Sequence, residues 1–352
     1  MESYKVIGLM SGTSLDGVDI AYCQFFFDNK WRYEIIEAKT IEYSEKWIER
    51  LKNLHDVNAK TLALTHVEYG HYLGRITNDF IDQHGFSPDF ISSHGHTVFH
   101  QPEKHFTLQI GDGSAISSES GFTVVFDFRS KDVALGGQGA PLVPIGDKLL
   151  FSEYEFCLNL GGIANISFEH EGQRKAFDIC PVNLVLNYLA NQSGEKFDKN
   201  GILASQGNIN ERLLKELNSL PFYIRKPPKS LGKEWVVAQV LPLIKKYNIH
   251  IKDKLRTYSE HIALQISGTI KYYSSGKIFV TGGGARNVFL INRIKANSKH
   301  TVIIPDNRLI DYKEALIFAF LGVLRKRNEI NCLSSVTGAR RDSSSGQIVT
   351  VK

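Results

Sequence analysis

The chain has 352 residues, 42% of them hydrophobic and 22% charged, with 42 basic side chains against 37 acidic ones for a formal charge of +5. These proportions exclude a disordered or fibrous chain, and the length fits two domains of ordinary size. The basic residues are spread along the sequence instead of forming a stripe, so no nucleic-acid partner is expected.

Four cysteines, Cys23, Cys157, Cys180 and Cys332, lie far apart and form no Cys-x-x-Cys pair, which points to reduced thiols and a cytoplasmic protein. There is no signal-peptide pattern and no apolar run long enough to cross a bilayer, so no membrane partner is expected.

In chain order, three strands are expected over 6–10, 18–27 and 31–43, the first two joined by a Gly/Ser/Thr/Asp turn at 11–17. Helical patterns follow at 45–54 and 61–84, then strands at 90–93 and 107–110, a short helix near 114–119 and a strand at 123–126. The second half begins the same way, with strands at 155–160, 164–169 and 174–179. Helices are expected at 181–190, 210–217, 234–247 and 252–273. A strand at 277–281 passes through Gly282, Gly283 and Gly284 into a helix near 287–296, and a strand at 301–304 and a helix at 312–325 follow. The run Arg325, Lys326, Arg327 reads as the solvated end of that last helix.

Three antiparallel strands followed by alternating helices and strands, twice over, predict an α/β protein of two domains. Each would be a mixed sheet flanked by helices, with a ligand cleft between them. The domains are expected at 1–130, with 331–352 packing back on it, and at 131–330. The boundary is placed near 129–143, a Gly-rich stretch with Pro141 and Pro144 close together.

Several strings could carry chemistry. Gly8-Leu9-Met10-Ser11-Gly12-Thr13-Ser14-Leu15-Asp16-Gly17-Val18-Asp19 joins two strands, so it is no Walker loop. Its glycines would let backbone N–H groups converge on a phosphate, and Asp16 or Asp19 could hold magnesium directly or through water. The plainer reading is an ordinary turn. Gly282, Gly283 and Gly284 before a helix would allow close approach of a nucleotide, or merely a tight strand-helix turn. Asp178, at the end of a strand, could take a proton from an attacking water, or could cap a helix beginning at Pro181. His94 and His96 lack the spacing of a zinc site and read by default as hydrogen-bonding or core histidines. The stretch 136–141 reads as a mobile loop or a domain linker. Glu314 is either a group facing the cleft or a carboxylate stabilised at a helix start.

Taken together these strings resemble the anhydro-N-acetylmuramic acid kinase family, of the actin/hexokinase superfamily with its ribonuclease H-like domains. The resemblance continues through Ser93 to Val98, Thr107 to Gly113, Asp127 to Ser130 and Gly136 to Pro144. It runs on through Leu160-Gly161-Gly162, Phe177-Asp178, Phe197-Asp198-Lys199-Asn200-Gly201, Pro227-Pro228-Lys229-Ser230, Gly282 to Asn287, Lys313-Glu314-Ala315 and Ser335-Val336-Thr337-Gly338-Ala339.

The resemblance implies an ATP- and magnesium-dependent kinase that phosphorylates O6 of 1,6-anhydro-N-acetylmuramic acid while water opens the anhydro bridge, giving N-acetylmuramic acid 6-phosphate in cell-wall recycling. It implies Asp178 as the catalytic base, with Glu314 in its proton network. Gly12, Thr13, Ser14, Leu15, Asp16, Gly17, Val18 and Asp19 would hold ATP, joined by Gly161, Gly162, Gly282, Gly283, Gly284 and Asn287. His94, Arg129 and Asp178 would contact the sugar. The family usually has Gly-Pro-Gly-Asn-like residues after the base, and here they are Cys180-Pro181-Val182-Asn183, which adds bulk near Asp178. A kinase for another anhydrosugar such as levoglucosan and a non-catalytic nucleotide-dependent switch stand as alternatives. A homodimer is left open.

Overall fold

The structure is a computed structural model that describes residues 2–12 and 14–351. Its strands are β1 (Glu2–Ser11), β2 (Gly17–Asp28), β3 (Lys30–Glu42), β4 (Phe90–Gln101), β5 (Phe106–Ile110), β6 (Val124–Phe126), β7 (Phe156–Leu160), β8 (Ile163–His170), β9 (Gln173–Pro181), β10 (Lys277–Thr281), β11 (Thr301–Ile303) and β12 (Gln347–Val349). The helices are α1 (Glu45–Lys52), α2 (Ala59–His84), α3 (Gly113–Ser120), α4 (Ser130–Ala134), α5 (Val143–Leu150), α6 (Asn183–Asn191), α7 (Ile202–Ser205) and α8 (Glu211–Asn218). They continue with α9 (Lys233–Trp235), α10 (Leu241–Lys245), α11 (Ile251–Ile270), α12 (Val288–Asn297), α13 (Asn307–Lys326) and α14 (Ser334–Thr337).

The chain forms two compact units, one of Met1–Phe151 with Tyr312–Lys352 and one of Ser152–Asp311. In the first, the strand order is β12-β6-β4-β1-β2-β3, with β5 pairing the far end of β4. β1, β2 and β3 are antiparallel, and β4 and β6 run parallel to β1. In the second, the order is β11-β10-β7-β8-β9, with β7, β8 and β9 antiparallel and β10 and β11 parallel to β7. The same arrangement is therefore built twice, and each sheet is mixed and flanked by helices, as the duplicated α/β pattern predicts.

Each core follows from the apolar pattern. From Val6 on, β1 is buried throughout, as a central strand covered on both faces should be. Ile7, Leu9, Val18, Ile20, Ile91 and Val124 pack with Tyr69, Leu73 and Phe80 of α2. In the second unit Leu158, Ile166 and Val280 pack with Leu186, Ile262, Ile266 and Leu290. Leu255, Ile262, Ile266 and Ile270 of α11 recur at helical spacing and are all buried.

The structure differs from the sequence expectations in four places. The units divide after 151 and 311, whereas divisions after 130 and 330 were expected. The Gly/Pro-rich stretch is not a linker, because α4 and α5 flank it and Gln138 N–H donates to the Thr337 carbonyl at 2.8 Å within the first unit. The last long helix begins at Asn307, not 312, since Asp306 accepts the Leu309 N–H at 2.9 Å and caps it. The helix expected over 234–247 is broken by a π-turn, Val236–Val240, next to Pro242, which has no N–H to give to an α-helical bond. The tail belongs to the first unit, with β12 antiparallel to β6.

Candidate functional site

Within the first unit, the carboxyl ends of the parallel strands β1, β4 and β6 carry the polar strings, the usual ligand-binding end of an α/β sheet. The turn after β1 holds Gly12, Ser14, Leu15 and Asp16, with Leu15 at a φ of 61° and Ser14 Oγ donating to Asp16 Oδ1 at 2.5 Å. Thr13 lies outside the described residues. Asp16 is exposed, and Asp19 is half-buried on β2, accepting from Thr40 Oγ1 at 2.6 Å.

The motif divides into structural and open parts. A Cβ on Gly8 would strike the carbonyl of Ala315 on α13, and one on Gly17 would strike the carbonyl of Ile41 on β3. Val18 points into the core. At Gly12 the nearest atom to an added Cβ is Ser14 Oγ at 3.3 Å, so the backbone there is open to a ligand. Beneath the turn, Ser11 Oγ contacts Tyr43 Oη at 2.6 Å and His96 Nδ1 at 3.0 Å, and Tyr43 Oη contacts Tyr69 Oη at 2.5 Å. Burial lowers the pKa of His96 to about 4.

His94 and His96 are both 4% exposed. His94 gives its Nδ1–H to the Gly95 carbonyl at 2.9 Å, and its Nε2 accepts from Nε and Nη2 of Arg129 at 3.0 and 2.8 Å. An arginine can only donate, so Nε2 is unprotonated and His94 is neutral. Burial and the Arg129 charge both hold its pKa well below the usual value. Arg129 Nη1 donates to the Gly139 carbonyl at 2.6 Å. Desolvation lowers the Arg129 pKa, and the charge of Glu314 opposes it.

Glu314 sits two turns into α13, beyond the reach of the helix-start dipole, so that plainer reading does not hold. The residue as a whole is exposed, yet desolvation by the surrounding protein raises its pKa against the pull of Arg129 and Lys313. Lys313 is bound to Asp147 at 2.7 Å in a buried ion pair.

In the second unit Asp178 lies on β9, three residues before its end. It is not a helix cap: α6 starts at Asn183, after Val182, with no side-chain cap. Its Oδ2 accepts the Leu231 N–H at 2.8 Å, and Oδ1 has no hydrogen-bond partner among the described residues. Burial raises its pKa, and the Leu231 bond opposes the rise. The ladder pairs Ala164 with Cys180 and Asn165 with Asp178, leaving Ile179 as a bulge. Bulges re-aim side chains, and here Asp178 is half-buried while Cys180 and Val182 are fully buried in the core. The extra bulk of Cys180 and Val182 is therefore taken up by the interior.

Gly282, with a φ of 80°, and Gly284 press against Asn159 and Leu160 at the end of β7, where a Cβ would clash. The Gly161 and Gly162 carbonyls accept the N–H groups of Val182, Asn183 and Leu184 and so support the start of α6. Asn287 caps α12 through Leu290 N–H at 3.0 Å. Gly283, Gly284 and Asn287 line a cavity of about 390 Å³ together with Asn183, Phe197, Lys199 and Arg286. Phe197 is 52% exposed at this cavity. The sequence reading gave no role to Phe197 or Lys199; the Asn200-Gly201 turn beside them, with φ values of 57° and 73°, was the available signal.

Among the described residues no three His, Cys, Asp or Glu side chains gather as a metal cluster, and no helix is long and apolar enough to cross a membrane. A family model described as anhydro-N-acetylmuramic acid kinase matches residues 4–351. Proteins with that name are similar to this chain over nearly their full length. The one from Vibrio cholerae is 34% identical over 97% of both chains. The one from Vibrio parahaemolyticus is 35% identical over 97% of this chain and 96% of its own. The one from Haemophilus influenzae is 33% identical over 99% of this chain and 98% of its own. A match of this extent settles the lineage: the chain belongs to the anhydro-N-acetylmuramic acid kinase family.

Proposed function

We propose that this chain is an ATP-dependent kinase that transfers the γ-phosphoryl group to O6 of 1,6-anhydro-N-acetylmuramic acid as water opens the anhydro bridge. The product is N-acetylmuramic acid 6-phosphate. The family match favours this reading over a levoglucosan kinase or a non-catalytic switch. The observation that carries the mechanism is the Asp178 carboxylate, with Oδ2 pinned by Leu231 N–H and Oδ1 left to accept a proton.

Oδ1 takes a proton from water as the water oxygen bonds to C1. The C1–O6 bond breaks, O6 bonds to the γ-phosphorus, and ADP leaves. Burial makes Asp178 a stronger base than an ordinary aspartate. Arg129 has five N–H donors, of which three are used internally, and the remainder suit an anionic or hydroxyl-bearing part of the sugar. Glu314, whose carboxyl pKa is raised by desolvation against the pull of Arg129 and Lys313, would hold or pass a proton there.

The open backbone at Gly12, with Ser14, suits the ATP phosphates. The cavity beside Gly283 and Gly284 suits the nucleoside, with Phe197 as a face for the base. Asp16 and Asp19 would supply the carboxylate oxygens that magnesium takes, and the ion would neutralise phosphate charge as it does in other kinases. The protein is read as cytoplasmic.

The test is ADP release with magnesium over a panel of anhydrosugars with and without the N-acetyl and lactyl groups. Activity on 1,6-anhydro-N-acetylmuramic acid is expected, and Asp178→Asn should lower it by at least about 10²-fold with ATP binding retained. Unchanged turnover in Asp178→Asn rejects the base, and no ADP release with any sugar rejects the kinase.

A further inference from the structure

The C-terminal segment holds the loop that holds Arg129. Asp132 is 0% exposed, and both its carboxylate oxygens are committed. Oδ2 accepts the Gly139 N–H and Oδ1 accepts the Thr337 hydroxyl, each at 2.8 Å. The Thr337 carbonyl accepts the Gln138 N–H at 2.8 Å. Thr337 therefore grips the loop twice, once through the backbone and once through Asp132. A Cβ on Gly137 would run into the Asp132 carboxylate, so the chain reaches this contact only as glycine. Arg340 N–H to the Leu135 carbonyl at 3.1 Å and Lys131 Nζ to the Ser344 carbonyl at 2.7 Å extend the grip on either side.

The loop so fixed presents the Gly139 carbonyl to Arg129 Nη1. On the other side of the guanidinium, neutral His94 accepts from Nε and Nη2. Two acceptors on different sides fix the plane and rotation of a planar fork, and so fix where its remaining N–H groups point. Removing the Thr337 hydroxyl would leave a buried carboxylate oxygen short of a donor and loosen Gly139.

We propose that Thr337 and Asp132 are positioning residues for sugar binding, which act through the Gly139 carbonyl to aim Arg129. This rests on the reading that Arg129 contacts the sugar. A merely structural role would lower stability and the active fraction without separating the two substrates.

The test compares KM for the sugar with KM for ATP in Thr337→Val, Thr337→Ser and Arg129→Lys. Thr337→Val is expected to raise the sugar KM about tenfold, the effect of one lost hydrogen bond to a charged group, and to leave the ATP KM unchanged. Thr337→Ser, which keeps the hydroxyl, should restore the parent value. A sugar KM unchanged in Thr337→Val, or both KM values rising together, overturns the proposal. If Thr337→Val does not fold, Asp132→Asn reads the same ratio. If Arg129→Lys leaves the sugar KM at the parent value, the sugar contact fails and not the clasp. Amide exchange at Gly139 then decides: faster exchange in Thr337→Val supports the clasp, and unchanged exchange overturns it.

Discussion

The backbone N–H of Leu231 donates to Oδ2 of Asp178 at 2.8 Å, and the Asp178 N–H in turn donates to the Lys229 carbonyl at 3.1 Å. β9 is an edge strand, and this short stretch of chain covers its edge at the carboxylate. The contact fixes one oxygen without neutralising the group. Burial raises the pKa, and the Leu231 bond recovers part of the shift. A base works when deprotonated, so kcat/KM should fall as the pH falls through this raised pKa. The acid limb of the pH profile is expected above the ordinary aspartate value of about 3.9. A limb at or below that value in the parent protein would contradict a buried aspartate base.

Two glycines of one motif should respond differently to alanine. Gly8→Ala places a Cβ against the Ala315 carbonyl and 2.9 Å from the Ala319 Cβ, and should cost about 1–3 kcal/mol of stability. Gly12→Ala meets nothing closer than 3.3 Å, and should change stability by less than about 0.5 kcal/mol while raising the ATP KM. Urea unfolding and initial rates on both variants check this. A Gly8→Ala protein as stable as the parent would count against the packing of α13 on β1.

Phe197→Ala should raise the ATP KM and leave the sugar KM alone. The ring is half exposed, so little stability is at stake. Loss of a base-stacking face costs about 1–3 kcal/mol. Steady-state kinetics with each substrate varied in turn gives the answer, and an unchanged ATP KM would remove Phe197 from the nucleoside site.

Buried histidines contribute to the loss of stability in acid. His96 titrates at about 4 when folded, and an unfolded histidine at about 6.5. Between these values the unfolded chain binds the proton first, so stability present above about 6.5 is lost as the pH falls toward 4. The total for His96 is on the order of 3 kcal/mol. His261, lowered to about 3 by burial, acts in the same direction. His96→Gln should lose less stability between pH 7 and pH 5 than the parent, as read by urea unfolding at each pH. An equal loss in the two proteins would show that His96 is not held neutral.

The duplicated strand pattern was legible because β1–β3 and β7–β9 are apolar runs separated by Gly, Ser and Asp turns, and these are local signals. The Gly12 turn and Gly282–Gly284 were legible for the same reason. The unit boundaries were not, because residues 136–139 are tied into the first unit by contacts remote in sequence, such as Gln138 with Thr337, which also bonds Asp132 205 positions away. The role of Asp178 stayed ambiguous in the sequence. Pro181 suggests a helix start, and only the ladder register shows that the strand continues past Asp178 as far as Pro181.

The bulge at Ile179 has a further implication for substrate choice. Because the chain gains one residue there, Cys180 and Val182, where the resemblance leads one to expect glycines, pack into the core with β7 and α6. Side-chain size at these two positions is then expected to bear on core packing and not on the choice of sugar. The segment that does lie against the Asp178 carboxylate is Lys229-Ser230-Leu231, so variants there are the first to try if sugar choice beside that carboxylate is to be altered.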